Sequence, residues 1–439
     1  MLFFHELKKV VFSIAFAILA VALVAMPMSQ DVMDFSDRKI EQPQPGENYG
    51  VQTKEVPEVI MPAALDALLG EFSRNSYAAY PIGFYKNVKL DDAKQREMAE
   101  ILSTLTGLPA EELLAQNGQG GQGFTIGTDE GLSSQQGGGF SVTAPLDDQE
   151  SDKPAHAALK DSVDYPFFKD CMERADRLIG GGSDYAPENL VRFGMVPLTY
   201  EEASAQYDLM KQTDRFTGAY ARLFSDYLLV GVLSILPVFL SVALCLRDKR
   251  ARMNGLLYTR RVSSARLVFT RYAAVVTAVM LPTILLAYLS NASVWGLYPG
   301  EALDYLAPLK YTLGWLLPSV MISSAVGMFF TVLTDTPIAV AIQGIWWFVD
   351  INLGLSEMHG GYSLFRLSPR HNSLRYTQNF IDGFGSLAAN RILFAALALV
   401  LVAAAVVVYE QKRRGRFDGY GKCKRFFTGL AHRKEQSAA

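Results

Sequence analysis

Residues 392–408 read ILFAALALVLVAAAVVV, a run with neither a charged nor a polar side chain. About 20 residues of helix are needed to cross a hydrocarbon core of about 30 Å, and a stretch this apolar has no polar face to present to water. It sets the reading of the rest of the chain. Charge-free runs of similar length occupy 10–28, 227–246, 272–289 and 311–333. A sixth, 338–349, meets Asp350 and Asn352 early, and it crosses if Leu353 and Leu355 extend it while protein or water shelters the polar pair. The expected fold class is therefore mainly α, a polytopic membrane protein with six transmembrane helices.

Composition agrees. Half of the 439 residues are hydrophobic and 19% are charged, against about 25% charged in an ordinary soluble protein. The formal net charge of −3 hides a division. Residues 29–222 carry 32 acids and 17 bases, and the remainder carries 12 acids and 24 bases. Two regions so different in charge face different surroundings, and the basic one needs no nucleic acid to explain it.

Lys and Arg are retained on the cytoplasmic side of short loops, which gives the direction. The segment 247–271 holds eight basic residues and one acid, Asp248; the tail beyond Val408 holds nine bases and three acids; Lys8 and Lys9 precede the first run. Both termini are thus expected in the cytoplasm of a cell (plasma) membrane protein. The divisions that follow are a short N-terminus 1–9, spans 10–28, 223–246, 272–290, 310–333, 337–355 and 390–409, a cytoplasmic loop 247–271, an outer segment 356–389 and a basic tail 410–439. Arg366, Arg370 and Arg375 in the outer segment run against the charge rule. The first run also fits a cleaved signal peptide, whose removal leaves five spans.

Between the first two spans, 29–222 is long enough for an extracytoplasmic domain with its own core. Helices are expected over 57–72, 91–106, 109–115 and 163–179, the last stopped by Gly180-Gly181-Gly182, with 77–88 as the strand candidate, so the domain is α-rich or α+β. The Gly-, Gln- and Ser-rich stretch at about 117–153 reads as a flexible loop. Thr199 with Glu201 and Glu202 starts a helix expected to run unbroken into the second span. Of Cys171, Cys245 and Cys423, only Cys171 lies in this domain, which excludes an intrachain disulfide there and leaves one between two chains open.

No G-x-x-x-x-G-K-[ST] phosphate loop occurs, and the five histidines have no metal-ligand or nucleophile–base spacing. No catalytic residue, metal site or cofactor of the chain's own is expected. At membrane depth the candidates for a transport path are Asp350 and Asn352 after Trp346 and Trp347, because a buried ionisable group needs a partner or a function. The alternative places Asp350 at the outer interface, with the tryptophans forming an aromatic belt.

The order of one span, a large outer domain and five more spans, with NGLLYTRRVSSARLVFTRYAA at 254–274, resembles the exporter-type (type 2) ABC transporter permeases. The resemblance covers roughly the membrane half and implies that 254–274 docks on a separately encoded ATP-binding subunit. Tyr258, Arg260, Arg261, Ser263, Ser264, Arg266 and Arg271 are then the coupling residues. It further implies ATP on that partner alone, a second permease chain, and export of an amphiphilic substrate such as a peptide, lipid or antibiotic. Thr334-Asp335-Thr336-Pro337 resembles the family's short inner turn, and 356–389 has room for its re-entrant hairpin, with Gly383, Gly385 and Ser386 at the turn. The short N-terminus and an outer domain without a matching motif depart from the pattern. A membrane-anchored sensor or scaffold, whose outer domain binds a ligand or envelope component, is the alternative of a different class.

Overall fold

The computed structural model of the chain describes residues 2–115, 159–251, 262–354 and 362–416. Helix accounts for 70% and strand for 4%, so the fold is mainly α as expected. Helices α1 (Leu2–Val11) and α2 (Ile14–Ser29) come first. Then follow β1 (Val51–Thr53), α3 (Pro57–Arg74), β2 (Tyr77–Ala79), β3 (Lys86–Val88), α4 (Asp92–Thr106), α5 (Ala110–Ala115), α6 (Tyr165–Ile179), β4 (Met195–Pro197) and α7 (Tyr200–Leu209). The remaining helices are α8 (Thr217–Leu233), α9 (Pro237–Arg250), α10 (Ser264–Leu297), α11 (Ala307–Thr334), α12 (Ile338–Gly354) and α13 (Thr377–Arg413). Two units result: Gln42–Ala205, and Met1–Glu41 joined to Gln206–Ala439.

Within Gln42–Ala205 the helices are bounded as their sequences dictate. Asp91 and Asp164 accept the N–H of Lys94 and Phe167 and so cap α4 and α6. Thr199 and Glu202 form a reciprocal capping box, each side chain taking the other residue's N–H. Gly180 ends α6 at φ +116°, a conformation that costs a side-chain-bearing residue steric strain. The core joins Leu65 and Leu68 of α3, Leu102 and Leu105 of α4, and Phe168 and Met172 of α6. The strand candidate 77–88 is a hairpin, β2 pairing with β3 across a turn at Pro81–Gly83, and β1 pairs antiparallel with β4. Cys171 is buried in this core, so its thiol does not reach a second chain. The glycine-rich stretch lies outside the described residues.

In the other unit, α10, α11 and α13 are each long and apolar enough to cross a membrane. Counting each bent pair as one crossing, α1 with α2 (67°) and α8 with α9 (41°), brings the number to five; α12 is shorter. Leu281, Leu285 and Leu289 on α10, and Ile392, Val400 and Val407 on α13, are more than half exposed. A contiguous apolar face of this kind suits lipid and is costly in water.

Several boundaries differ from the expected ones. α10 starts at Ser264, well before the apolar run, and passes through Pro282 unbroken. α13 starts at Thr377, so Gly383, Gly385 and Ser386 sit inside a helix and make no turn; Gly383 instead lets the Tyr362 ring lie against the helix, where a Cβ would come within 2.2 Å of it. Among the described residues, 362–376 is irregular backbone and no helical hairpin forms there. The unbroken rod from Thr199 is also absent. The chain turns at Arg215 (φ 46°) and Phe216 (φ 58°), between α7 and α8. Each such residue costs about 1–2 kcal/mol, so the break needs compensation. Part comes from the Phe216 ring, buried and stacked on Tyr298 at 4.0 Å.

Candidate functional site

Two groups of buried polar side chains organise the apolar unit, one at each end of its helices. The basic end starts at Ser263, whose hydroxyl accepts the Arg266 N–H and caps α10. Ser264 donates to Glu410 on α13, and Arg413 donates to the Val262 carbonyl at 2.8 Å. Arg271 pairs with Asp248 on α9 and with Glu6 on α1, the latter at 3.4 Å. Lys412 of α13 bonds Asp335 at 2.6 Å, and Lys249 of α9 donates to the Asp335 carbonyl. The start of α10 is thereby fixed to α1, α9 and α13.

Of the seven expected coupling residues, Tyr258, Arg260 and Arg261 lie outside the described residues. Ser263 and Arg266 are exposed, whereas Ser264 and Arg271 are buried and committed to partners within the chain. The buried pair is therefore positioned to hold the helix, while Ser263 caps it and the Arg266 side chain is exposed.

The expected path residues share α12 and each engages a different partner. Trp346 stacks on Phe394 of α13 with ring centroids 5.8 Å apart. The Trp347 indole donates to the Val230 carbonyl at 2.8 Å. Asn352 turns back to the Phe348 carbonyl of its own helix. Asp350, 5% exposed, accepts the N–H groups of Leu367 at 2.7 Å and Ser368 at 3.0 Å.

Asp350 belongs to a clamp on the irregular segment. Arg391, 6% exposed, donates to the carbonyls of Trp315, Arg366 and Leu367, to the Ser319 hydroxyl and to Asn390 Oδ1. Asn390 Nδ2 donates to the carbonyls of Ser363, Leu364 and Arg366. The peptides at 366–368 thus lie with N–H groups toward an acid and C=O groups toward a guanidinium, which aligns their dipoles between opposite charges. Arg366, an exception to the charge rule, donates to the carbonyls of Asp350 and Leu353 at the end of α12. Its charge serves to close a helix end.

A second part of this group was missed in the sequence. Asp214 and Arg222 form a fully buried two-point ion pair at 2.9 and 3.0 Å. Thr377 at the start of α13 donates to Asp214, Arg222 also reaches the Tyr311 hydroxyl at 3.3 Å, and its guanidinium lies over the Phe380 ring at 4.6 Å. One turn on, Asp226 accepts the N–H groups of His371 at 3.1 Å and Asn372 at 2.7 Å. His371 Nε2 faces the Arg375 carbonyl, so this nitrogen carries the hydrogen and Nδ1 accepts from Tyr362. The pair pins both the break at Arg215–Phe216 and the beginning of α13. The available signal was the spacing of Asp214, Arg222 and Asp226, eight and four residues apart, a run of charges that would share a face of the unbroken helix expected there, ahead of an apolar run.

In Gln42–Ala205 the notable ionisable group is Glu71, which accepts the Ala78 N–H and the Tyr185 hydroxyl. Burial pushes its carboxyl up to about 6, opposed by those two hydrogen bonds and reinforced by Asp184. Among the described residues, no group of three or more His, Cys, Asp or Glu is arranged to hold a metal ion. Comparison with protein-family models, curated proteins and solved structures gives no match for this chain.

Proposed function

We propose that the chain is the permease subunit of an ABC-type exporter, crossing the membrane six times with both termini cytoplasmic and Gln42–Ala205 outside. The carrying observation is the bracing of the start of α10, tied by Arg271 and Ser264 to α1, α9 and α13 directly after the basic stretch 252–261. A partner that pushes on that stretch would move several helices together, which is what coupling to an ATPase requires. The exposed Arg266 and the sequence around Tyr258, Arg260 and Arg261 present cations to such a partner. ATP then resides on the separate ATP-binding subunit, and a second permease chain, a like or unlike copy, completes the pathway.

Co-purification from the native membrane tests this. A nucleotide-binding subunit should accompany the wild-type chain and be lost from the Arg260→Glu, Arg261→Glu double variant. A preparation without that subunit, indifferent to the double variant, refutes the proposal.

A sensor or scaffold role has one observation in its favour: Gln42–Ala205 has its own hydrophobic core. In that role the protein would keep its function in cells lacking every candidate ATPase.

A further inference from the structure

The junction of α8 and α9 leaves backbone carbonyls without their usual helical donors. The last turn of α8, Leu229–Leu233, is a π turn, and α9 begins at Pro237, which has no N–H to offer. The two helices meet at 41°. Two side chains of α12 reach carbonyls of this junction. Trp347 Nε1 donates to the Val230 carbonyl at 2.8 Å, where the Ser234 hydroxyl adds a longer bond at 3.3 Å, and Gln343 Nε2 donates to the Ser234 carbonyl at 2.6 Å. Gln343 is fully buried, and its Oε1 has no partner among the described residues. A buried amide that satisfies one helix break and leaves its own oxygen unpaired is held at a cost, because an unpaired buried acceptor loses its water.

Resting on the permease reading, we propose that the α8–α9 junction is the hinge of the transport cycle and that Trp347 and Gln343 are positioning residues which latch it in the bent form seen here. The lever is large. The fourteen residues of α9 make an arm of about 20 Å, and straightening the 41° bend would carry its end about 15 Å. Ser241 of α9 packs so closely on Gly327 of α11 that a Cβ there would lie 2.8 Å from it, and Asp248 of α9 holds Arg271, so α9 is expected to carry α11 and the braced start of α10 with it. Freed from α12, the Val230 carbonyl keeps only the longer bond from the Ser234 hydroxyl, the Ser234 carbonyl needs another donor, and Gln343 Oε1 is open to one. A pair of latched and released states separated by two hydrogen bonds is bistable in the way a gating element requires.

The test is hydrogen exchange measured by mass spectrometry on the full chain in lipid nanodiscs, comparing peptides that cover 229–240 with peptides from α13. Trp347→Phe keeps a smaller aromatic ring and removes the donor, and Gln343→Leu removes the amide's NH2 and its oxygen. Each should raise exchange across 229–240 about two- to tenfold, the factor for losing one hydrogen bond, with α13 unchanged. Pro237→Ala restores a donor and should slow exchange in the same peptides. Unchanged exchange at 229–240 in all three variants, or an equal rise in α13, overturns the proposal. The exchange measurement needs no ATPase, so failure of the latch and failure of the permease reading are told apart. With the ATPase bound, Pro237→Ala should also reduce substrate export at least severalfold; wild-type export alongside slowed exchange would show a bend with no part in turnover and would equally overturn the hinge.

Discussion

The two units solve opposite problems with the same chemistry. Gln42–Ala205 excludes water with an apolar core and carries exposed ion pairs such as Lys169–Glu55 and Arg177–Glu173. The helical unit turns leucines and valines outward and draws its charges in, burying Arg222, Asp226, Asp350 and Arg391. Where the surroundings are apolar, side-chain hydrophobicity no longer distinguishes inside from outside. Polar pairing and close packing then have to specify how the helices meet. The lesson is that the same substitution class should act very differently in the two units.

Arg222→Leu gives the largest expected effect. It leaves Asp214 buried with Thr377 as its remaining side-chain partner, and removing one member of a buried pair costs about 3–5 kcal/mol. Thermal unfolding of the full chain in nanodiscs should show a drop of several degrees. Adding Asp214→Leu should recover much of it. A single-variant loss below about 1 kcal/mol would erase the contrast between the units.

The next effect belongs to the other unit and depends on pH. Glu71 titrates at about 6 in the fold against 4.5 when free, so the folded state holds its proton more tightly. Its contribution is complete below pH 4.5 and is lost as pH rises through 6, about 2 kcal/mol in all at 1.36 kcal/mol per pK unit. Protection of α3 peptides from exchange should weaken over that window, and Glu71→Gln should flatten the dependence. A dependence that is the same in the variant assigns the slope to another group.

Smaller still is Asp164→Ala. It removes the cap of α6 and should destabilise Gln42–Ala205 by about 1 kcal/mol, read as earlier proteolysis within that unit. Arg177→Ala breaks an exposed pair with Glu173 and should cost less than about 0.5 kcal/mol, within error of wild type. An effect as large as that of Arg222→Leu would mean that exposed and buried pairs are not distinguished as argued.

Legibility in the sequence followed the range of each interaction. The helices of Gln42–Ala205 were readable to within a few residues, because Asp91, Asp164, Thr199 and Gly180 act on their own turn of backbone. The apolar runs were readable for a similar reason: length and charge exclusion are local properties. The break at Arg215–Phe216 was not, since Gln206 to Tyr220 carries no proline and only Gly218, and the bend is held by Thr377 from 163 residues away. The role of Asp350 was equally hidden. Its acid group marked it as unusual, but its partners Leu367 and Ser368 are apolar or neutral residues recruited through their backbone N–H groups.

By itself, then, the sequence determined that this is a mainly helical chain with segments suited to lipid, a separate polar region and a basic end. Hydrophobic length, caps and charge composition act over a few residues and need no knowledge of the fold. The tertiary structure decided which charges are paired, where α8 and α9 break, and that Arg271 braces the chain from within while Arg266 stays exposed. Those outcomes depend on groups brought together from distant positions, where the cost of an unpaired buried charge selects the packing that pairs it.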